Sequence, residues 1–236
     1  MTNLETKIAA LLSKAESTNH PAEAEAFMRK AEELMLKHGI ERANLEAREN
    51  QRQDEIVTSR VHVPNGHGYA AAMAMIAHRT AGSFSVRTLQ SNLYRGERVV
   101  WFIGYSRDVE QAQKLFGSLA TQSRKQALYW WKTEGKALYG RPSDNDAYLA
   151  RREFIYAFGV GAGDRLSEIR NRTVEEAEAG TSLVLADRRK KVDSWIEENI
   201  QTTKGRNTSR RTGGRAARLA GQQAGREAVS PAEIVR

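Results

Sequence analysis

The amino-acid sequence predicts an α+β protein: an N-terminal helical hairpin or three-helix module, then a small sheet of about three strands packed with long helices. Three observations carry this expectation. Residues 1–40 hold two apolar stripes at helical spacing, separated by a polar turn and Pro21. Between residues 57 and 104, three short segments rich in Val, Phe and Ile are separated by turn formers. Beyond them, residues 108–138 and 148–172 repeat apolar side chains every three to four positions, the period of a helix with one buried face.

The hairpin is the most sharply punctuated part. Leu4, Ile8, Leu11, Leu12 and Ala15 make one stripe, and Ser17, Thr18 and Asn19 end it because their short polar side chains compete for backbone hydrogen bonds. Pro21 suits the first turn of a second helix, where its missing N–H is not needed, which makes Asn19 or His20 the N-cap. Glu23 and Glu25 lie near the positive end of that helix. Phe27, Ala31, Leu34 and Met35 form the matching stripe, and Lys37, His38 and Gly39 predict a close with a left-handed glycine. Residues 41–49 allow a short third helix before the charged stretch 48–55, the best boundary. The predicted organisation is a module over 1–50, an α+β domain over 54–200 and a basic Gly/Arg-rich segment over 201–236.

Within the central domain, Val57, Ser59, Val61 and Val63 alternate as in a half-buried strand, and residues 68–81 are small and apolar enough for a buried helix. Phe84, Val86 and Thr88 predict a second strand, 91–96 a turn, and the unbroken apolar run 99–104 a central strand covered on both faces. The helix over 108–138 should bury Ala112, Leu115, Phe116, Leu119, Ala127 and Trp130. The helix over 148–172 should bury Ile155, Phe158, Ala162, Leu166 and Ile169. Gly159, Gly161 and Gly163 resemble a dinucleotide loop only superficially: they sit inside a helical pattern instead of between a strand and a helix, and no ribose-binding acid follows at the required distance. Small residues four apart make a ridge where another backbone can approach, and Ala217, Gly221 and Gly225 repeat the device, so the two ridges are expected to pack together.

The run Lys7–Ala15, the Ser17–Thr18 turn, the Glu23–Ala26 step and the ending Glu33–Leu34–Met35 to Gly39–Ile40 resemble the bacterial and phage family catalogued as domain of unknown function 2786. A second likeness, Arg151–Phe154, Phe158–Gly159 to Gly163 and Arg165–Leu166, resembles the segment that usually follows this hairpin. The resemblance implies no activity, cofactor or catalytic residue. The family's frequent occurrence in phage genomes implies accessory proteins acting on DNA.

Composition narrows the classes. No run of eighteen apolar residues occurs and the N-terminus lacks a charged-then-apolar signal, so neither a membrane span nor secretion is expected, and the cytoplasm, of the host if the chain is phage-encoded, is the default compartment. The absence of cysteine excludes disulfides, thiolate catalysis and Cys-ligated metal sites. The net charge of +8 is unevenly placed: seven Lys/Arg face nine Asp/Glu in residues 1–50, 22 face 18 in 51–200, and eight face two in 201–236. So cationic a C-terminal segment attracts phosphate by counterion release, or another protein's acidic patch by electrostatic steering.

Candidate site residues follow. Lys125, Tyr129, Lys132 and Lys136 share one helical stripe, and with Arg206, Arg210, Arg211, Arg215 and Arg218 they form the expected nucleic-acid contacts. Phe27, Leu34 and Met35 are the expected partner-binding residues, because the hairpin is acidic and would place carboxylates against phosphate if it entered a DNA groove. No catalytic residue and no cofactor is assigned. A metal site is an alternative only through His62, His67 and His78 with Asp54 or Glu55, and their spacing matches no compact zinc signature. The expected function is a non-enzymatic accessory protein in DNA transactions, binding a recombinase- or replication-type protein–DNA complex, for example as a recombination directionality factor, and touching DNA without sequence preference. The alternatives are a metal-dependent hydrolase or nuclease using those histidines, and a protein–protein adaptor.

Overall fold

The computed structural model describes residues 3–18, 20–48, 54–63, 68–93, 96–202 and 212–227. Helix α1 (Asn3–Ser17) and helix α2 (Pro21–Arg48) form the expected hairpin. Its turn is tied by Thr18, whose hydroxyl accepts from the His20 N–H and donates to Glu23. The His20 carbonyl accepts from the Ala24 N–H, which makes His20 the residue at which α2 opens, with Pro21 in its first turn. Ile8, Ala15, Met28, Ala31 and Met35 are buried between the hairpin and the rest of the chain.

Two expectations about this region are corrected. Gly39 does not close α2, and residues 41–49 are no separate helix: α2 runs without a break to Arg48. A local stop signal loses here to tertiary contacts. Arg42 donates to Asp108 and pairs with Glu46, while Arg188 donates to Glu46 at 2.6 Å and to Asp108 at 3.0 Å. The Arg188 guanidinium also lies 3.6 Å from the centre of the Tyr105 ring. Two arginines and two carboxylates thus neutralise one another in the interior and require the last turns of α2 to be present, with Gly39 passing close to the Asp108 carboxylate.

Strand β1 (Ile56–Val63), helix α3 (Ala70–Ser83), strand β2 (Arg87–Asn92) and strand β3 (Arg98–Tyr105) follow. The sheet is antiparallel in the order β1-β3-β2, with Val61 opposite Val100 and Leu89 opposite Trp101. Central β3 is covered on both faces, as its unbroken apolar run predicts: Val100 and Phe102 turn to the main core beneath α3, and Ile103 and Tyr105 turn away from it. Strand β2 begins later than Phe84–Thr88 implies. Phe84 and Val86 are buried, but they belong to the end of α3, where Ser85 adopts φ +60° and the Val86 N–H reaches back to the Ala81 carbonyl. This is a left-handed helix cap with serine in place of the usual glycine.

Helix α4 (Ser106–Trp130) starts where the Asp54 carboxylate accepts from the Arg107 N–H, and continues through a π turn (Trp131–Gly135) into the short helix α5 (Lys136–Leu138). Consecutive Trp130 and Trp131 are both buried where α4 passes into the π turn. Trp130 meets Phe154 with ring centres 5.4 Å apart, and Trp131 meets Tyr139 at 5.3 Å. Helix α6 (Asp144–Glu175) opens with a capping box between Ser143 and Asp146. Helix α7 (Thr181–Asn199), which no pattern in the sequence announces, covers the second face of the sheet with Val192, Trp195 and Ile196. It is fixed to β2 by Arg87 and Asp193, at 2.6 and 2.5 Å.

Helix α8 (Arg215–Glu227) packs on α6 through the two small-residue ridges, as expected. A Cβ at Gly161 would overlap the Gln222 carbonyl, and at Gly221 or Gly225 it would overlap the carbonyls of Phe154 or Phe158. The ridge on α6 is nevertheless two-sided: Gly159 and Gly163 face α3, against Ile76 and Arg79, and Gly161 faces α8. Beneath α6, Arg165 grips the fully buried Glu32 of α2 with two bonds of 3.0 and 2.6 Å and donates a third to the Gly225 carbonyl. One apolar core joins the hairpin, the inner sheet face, α3, α4, α6 and α8. Among the described residues, no helix is long and apolar enough to cross a membrane.

Candidate nucleic-acid interface

On the outer side of α4, Lys125 is exposed and Tyr129 is half-buried, while Lys132 and Lys136 stand exposed on the π turn and on α5. No ion pair holds these three lysines among the described residues. The π turn adds one residue to the helical path, so Lys136 is rotated by about one residue's arc, roughly 100°, from the line that a regular helix would draw through the four. The stripe therefore bends at the π turn.

The C-terminal cations divide. Arg206, Arg210 and Arg211 lie outside the described residues. Arg215 is exposed at the start of α8, and no bond or ion pair holds its side chain among the described residues. Arg218 is exposed over 54% of its side chain but is also tied to the interior, its Nε donating at 3.0 Å to Glu153, a carboxylate with 1% of its side chain exposed. Arg226 pairs in the same way with Asp164, at 3.4 Å. The acids of α6 fasten α8 down through Arg218 and Arg226, whereas Arg215 has no ion pair among the described residues. Tyr139 donates to the Gly213 carbonyl, and Gly213 lies against Leu149, so the start of α8, the end of α5 and the first turns of α6 share one end of the molecule.

At that end opens a cleft of about 860 Å³ between α3, the first turns of α6 and the β2–β3 face. Its polar lining is Arg98, Arg152, His78, Thr88, Gln90, Asn145 and two tyrosines, Tyr148 and Tyr156; its apolar wall includes Ala71, Ala74, Met75 and Leu149. No carboxylate lines it among the described residues. Several of these groups are braced. Arg98 donates to Gln90 at 3.0 Å, and the Arg152 guanidinium lies 5.4 Å from the centre of the Tyr148 ring and donates to its hydroxyl at 3.4 Å. The Tyr148 hydroxyl donates to the Gly68 carbonyl at 3.1 Å, and its ring stacks on Tyr69 at 5.8 Å. Burial raises the Tyr69 hydroxyl above its ordinary value, and Arg151 opposes this.

His78 bonds through Nδ1 to the Thr88 hydroxyl at 2.9 Å. Burial lowers its pKa, and Arg79 and Arg87 lower it further. In the window between that depressed value and the unfolded value of about 6.5, the unfolded chain binds the extra proton, so His78 costs stability as pH falls through it. A chemical-shift titration of the His78 ring should find a midpoint below about 6.5, the ordinary histidine value; a midpoint at or above it contradicts this account.

The other expected site residues are placed differently. Met35 is corrected as a partner contact: with 1% of its surface exposed it is part of the chain's own core. Phe27 is half-buried under Lys14, whose ammonium lies 5.5 Å from the ring centre. Leu34 lines a second cleft, of about 970 Å³, between α2 and the end of α6, where Leu45 is also exposed. His62 pairs with Glu97 at 2.9 Å while His78 holds Thr88, so the fold does not bring these two together; His67 lies outside the described residues. Among the described residues, no three of His, Cys, Asp and Glu are grouped as a metal site. The cleft residues Arg98, Gln90, Tyr148 and Tyr156 stand outside every motif in the sequence; Arg152 falls in the Arg151–Phe154 likeness, which gives it no role.

No curated protein and no solved structure matches the chain. The family model described as Protein of unknown function (DUF2786) matches residues 5–42, so the likeness is confined to the N-terminal hairpin, α1 and most of α2, and does not reach the 151–166 segment.

Proposed function

We propose that this protein is a non-enzymatic accessory factor in DNA transactions, one that joins a recombinase- or replication-type protein–DNA complex and holds nucleic acid by its backbone. The observation that carries the reading is how the cations are distributed. Arg42, Arg165, Arg188, Arg218 and Arg226 are matched by acids, whereas Lys125, Lys132, Lys136 and Arg215 remain exposed with no ion pair among the described residues. Cations left in this state lower their energy by displacing counterions from a polyanion, which needs no base contact and gives no sequence preference. A recombination directionality factor acts by binding energy alone and fits this description. A protein partner has the cleft beside Leu34 and Leu45 available, where an adaptor role would also lie.

Charge reversal tests the reading better than truncation, because cutting the chain near residue 204 removes α8 and exposes the face of α6. The variant carrying Lys125→Glu, Lys132→Glu and Lys136→Glu should bind duplex DNA more weakly in a mobility shift. The slope of log affinity against log salt should become shallower by about 2 to 3, roughly 0.9 for each phosphate no longer neutralised. Equal affinity and slope in variant and parent would remove the support for the reading.

A further inference from the structure

The cleft between α3, α6 and the β2–β3 face has properties that a solvated basic patch lacks. It is concave and of the size that encloses a small ligand, about 860 Å³ within a usual range of roughly 300–1,000 Å³. Two guanidiniums, Arg98 and Arg152, come to it from different elements, and each is oriented by a neighbour, Gln90 and Tyr148 respectively. A guanidinium is planar and offers paired donors that match two oxygens of one phosphate. With no carboxylate on the lining among the described residues, an anion there meets donors without meeting repulsion. The part of the lining that α3 supplies with Ala71, Ala74 and Met75 is apolar, the kind of surface on which a flat ring loses water favourably.

We propose that this cleft binds a nucleotide unit, the phosphate on Arg98 and Arg152 and the base against the α3 wall beside Tyr156. This deepens the function proposed for the lysine stripe by naming the unit that is held, and it rests on that function only where the unit belongs to a strand. A base in duplex DNA is stacked and paired and cannot enter such a cleft without being flipped, so the strand form of the ligand is single-stranded.

The test uses the full chain and three probes: AMP, a single-stranded twelve-residue oligonucleotide, and the duplex of the same sequence. The Arg98→Gln, Arg152→Gln variant, checked for an unchanged melting profile, should bind the single strand at least tenfold more weakly while keeping most of its duplex binding. Competition by AMP at the same cleft identifies a free nucleotide as sufficient, and binding of the oligonucleotide alone identifies the strand; either result supports the proposal. Ultraviolet crosslinking of the oligonucleotide to the unsubstituted protein keeps the test independent of folding defects: crosslinks at Tyr148 or Tyr156 support the cleft. Crosslinks confined to the α4 stripe, or single-strand affinity lost only in the triple lysine variant, overturn the cleft and leave the backbone-binding reading standing. Loss in the cleft variant with no change in the lysine variant does the reverse. Failure of all three probes to bind overturns both.

Discussion

Replacing Gly161 by leucine should detach α8 from α6. The position has no room even for a methyl group, because the carbonyl of Gln222 occupies the space, and the obstruction is backbone, which no rotamer change relieves. The expected cost is about 4 kcal/mol, at the upper end for a substitution that forces packed elements apart. At roughly 2–4 °C per kcal/mol for a chain of this size, the melting temperature should fall by about 10 °C. Limited proteolysis should then cut the chain before α8. Gly117→Ala is the control: that glycine lies exposed in the middle of α4 with no atom within 4 Å of the added carbon, so alanine should raise stability by about 0.5–1 kcal/mol. A Gly161→Leu protein that melts and digests like the parent would show that the two ridges do not depend on each other.

The second large effect is expected at Glu32 and Arg165. Neither side chain is more than 7% exposed, and their paired bonds join α2 to α6 with α8 as the third party through the Gly225 carbonyl. Glu32→Leu leaves a guanidinium in the interior without its carboxylate, at a cost of about 3–5 kcal/mol, and Arg165→Met strands the carboxylate with a similar penalty. The double variant should be much less damaged than the sum of the singles, because two apolar side chains of similar volume need no charge compensation. Urea unfolding of the four proteins measures the coupling. Losses below about 1 kcal/mol in the single variants would mean that the pair behaves like a solvent-exposed one and does not hold α2 to α6.

What could be read from the linear chain is what local chemistry encodes. Pro21 opening a helix, the alternation at Val57–Val63, the apolar run through Val100–Ile103 and the glycine spacing on α6 and α8 each act through neighbours a few residues away, and each appears in the fold. The errors have the opposite character. Gly39 after Lys37 and His38 is a sound stop signal, but Arg42 reaches Asp108 and Arg188 reaches Glu46, partners far along the chain, and those bonds outweigh it. Helix α7 is dense with charge, so its few inward residues, Leu185 and Val192 with Trp195 and Ile196, leave too thin a stripe to stand out. The lysine stripe is legible as a pattern, but the π turn that bends it at Trp131–Gly135 has no signal in the local spacing. The cleft is illegible because Arg98, Gln90 and Arg152 come from three elements, and only sheet pairing and the docking of α6 bring them to one place.

The hairpin that matches a known family is tied to its host along its whole length: Glu16 to Ser118, Glu32 to Arg165, Arg42 to Asp108 and Asn44 to Thr181. Residues 5–42 are consequently no detachable cassette. Expressed alone, the segment would present Glu32 and Arg42 without their partners on the face that the rest of the chain covers, and grafted elsewhere it would need a recipient surface supplying both an arginine and an aspartate at matching positions.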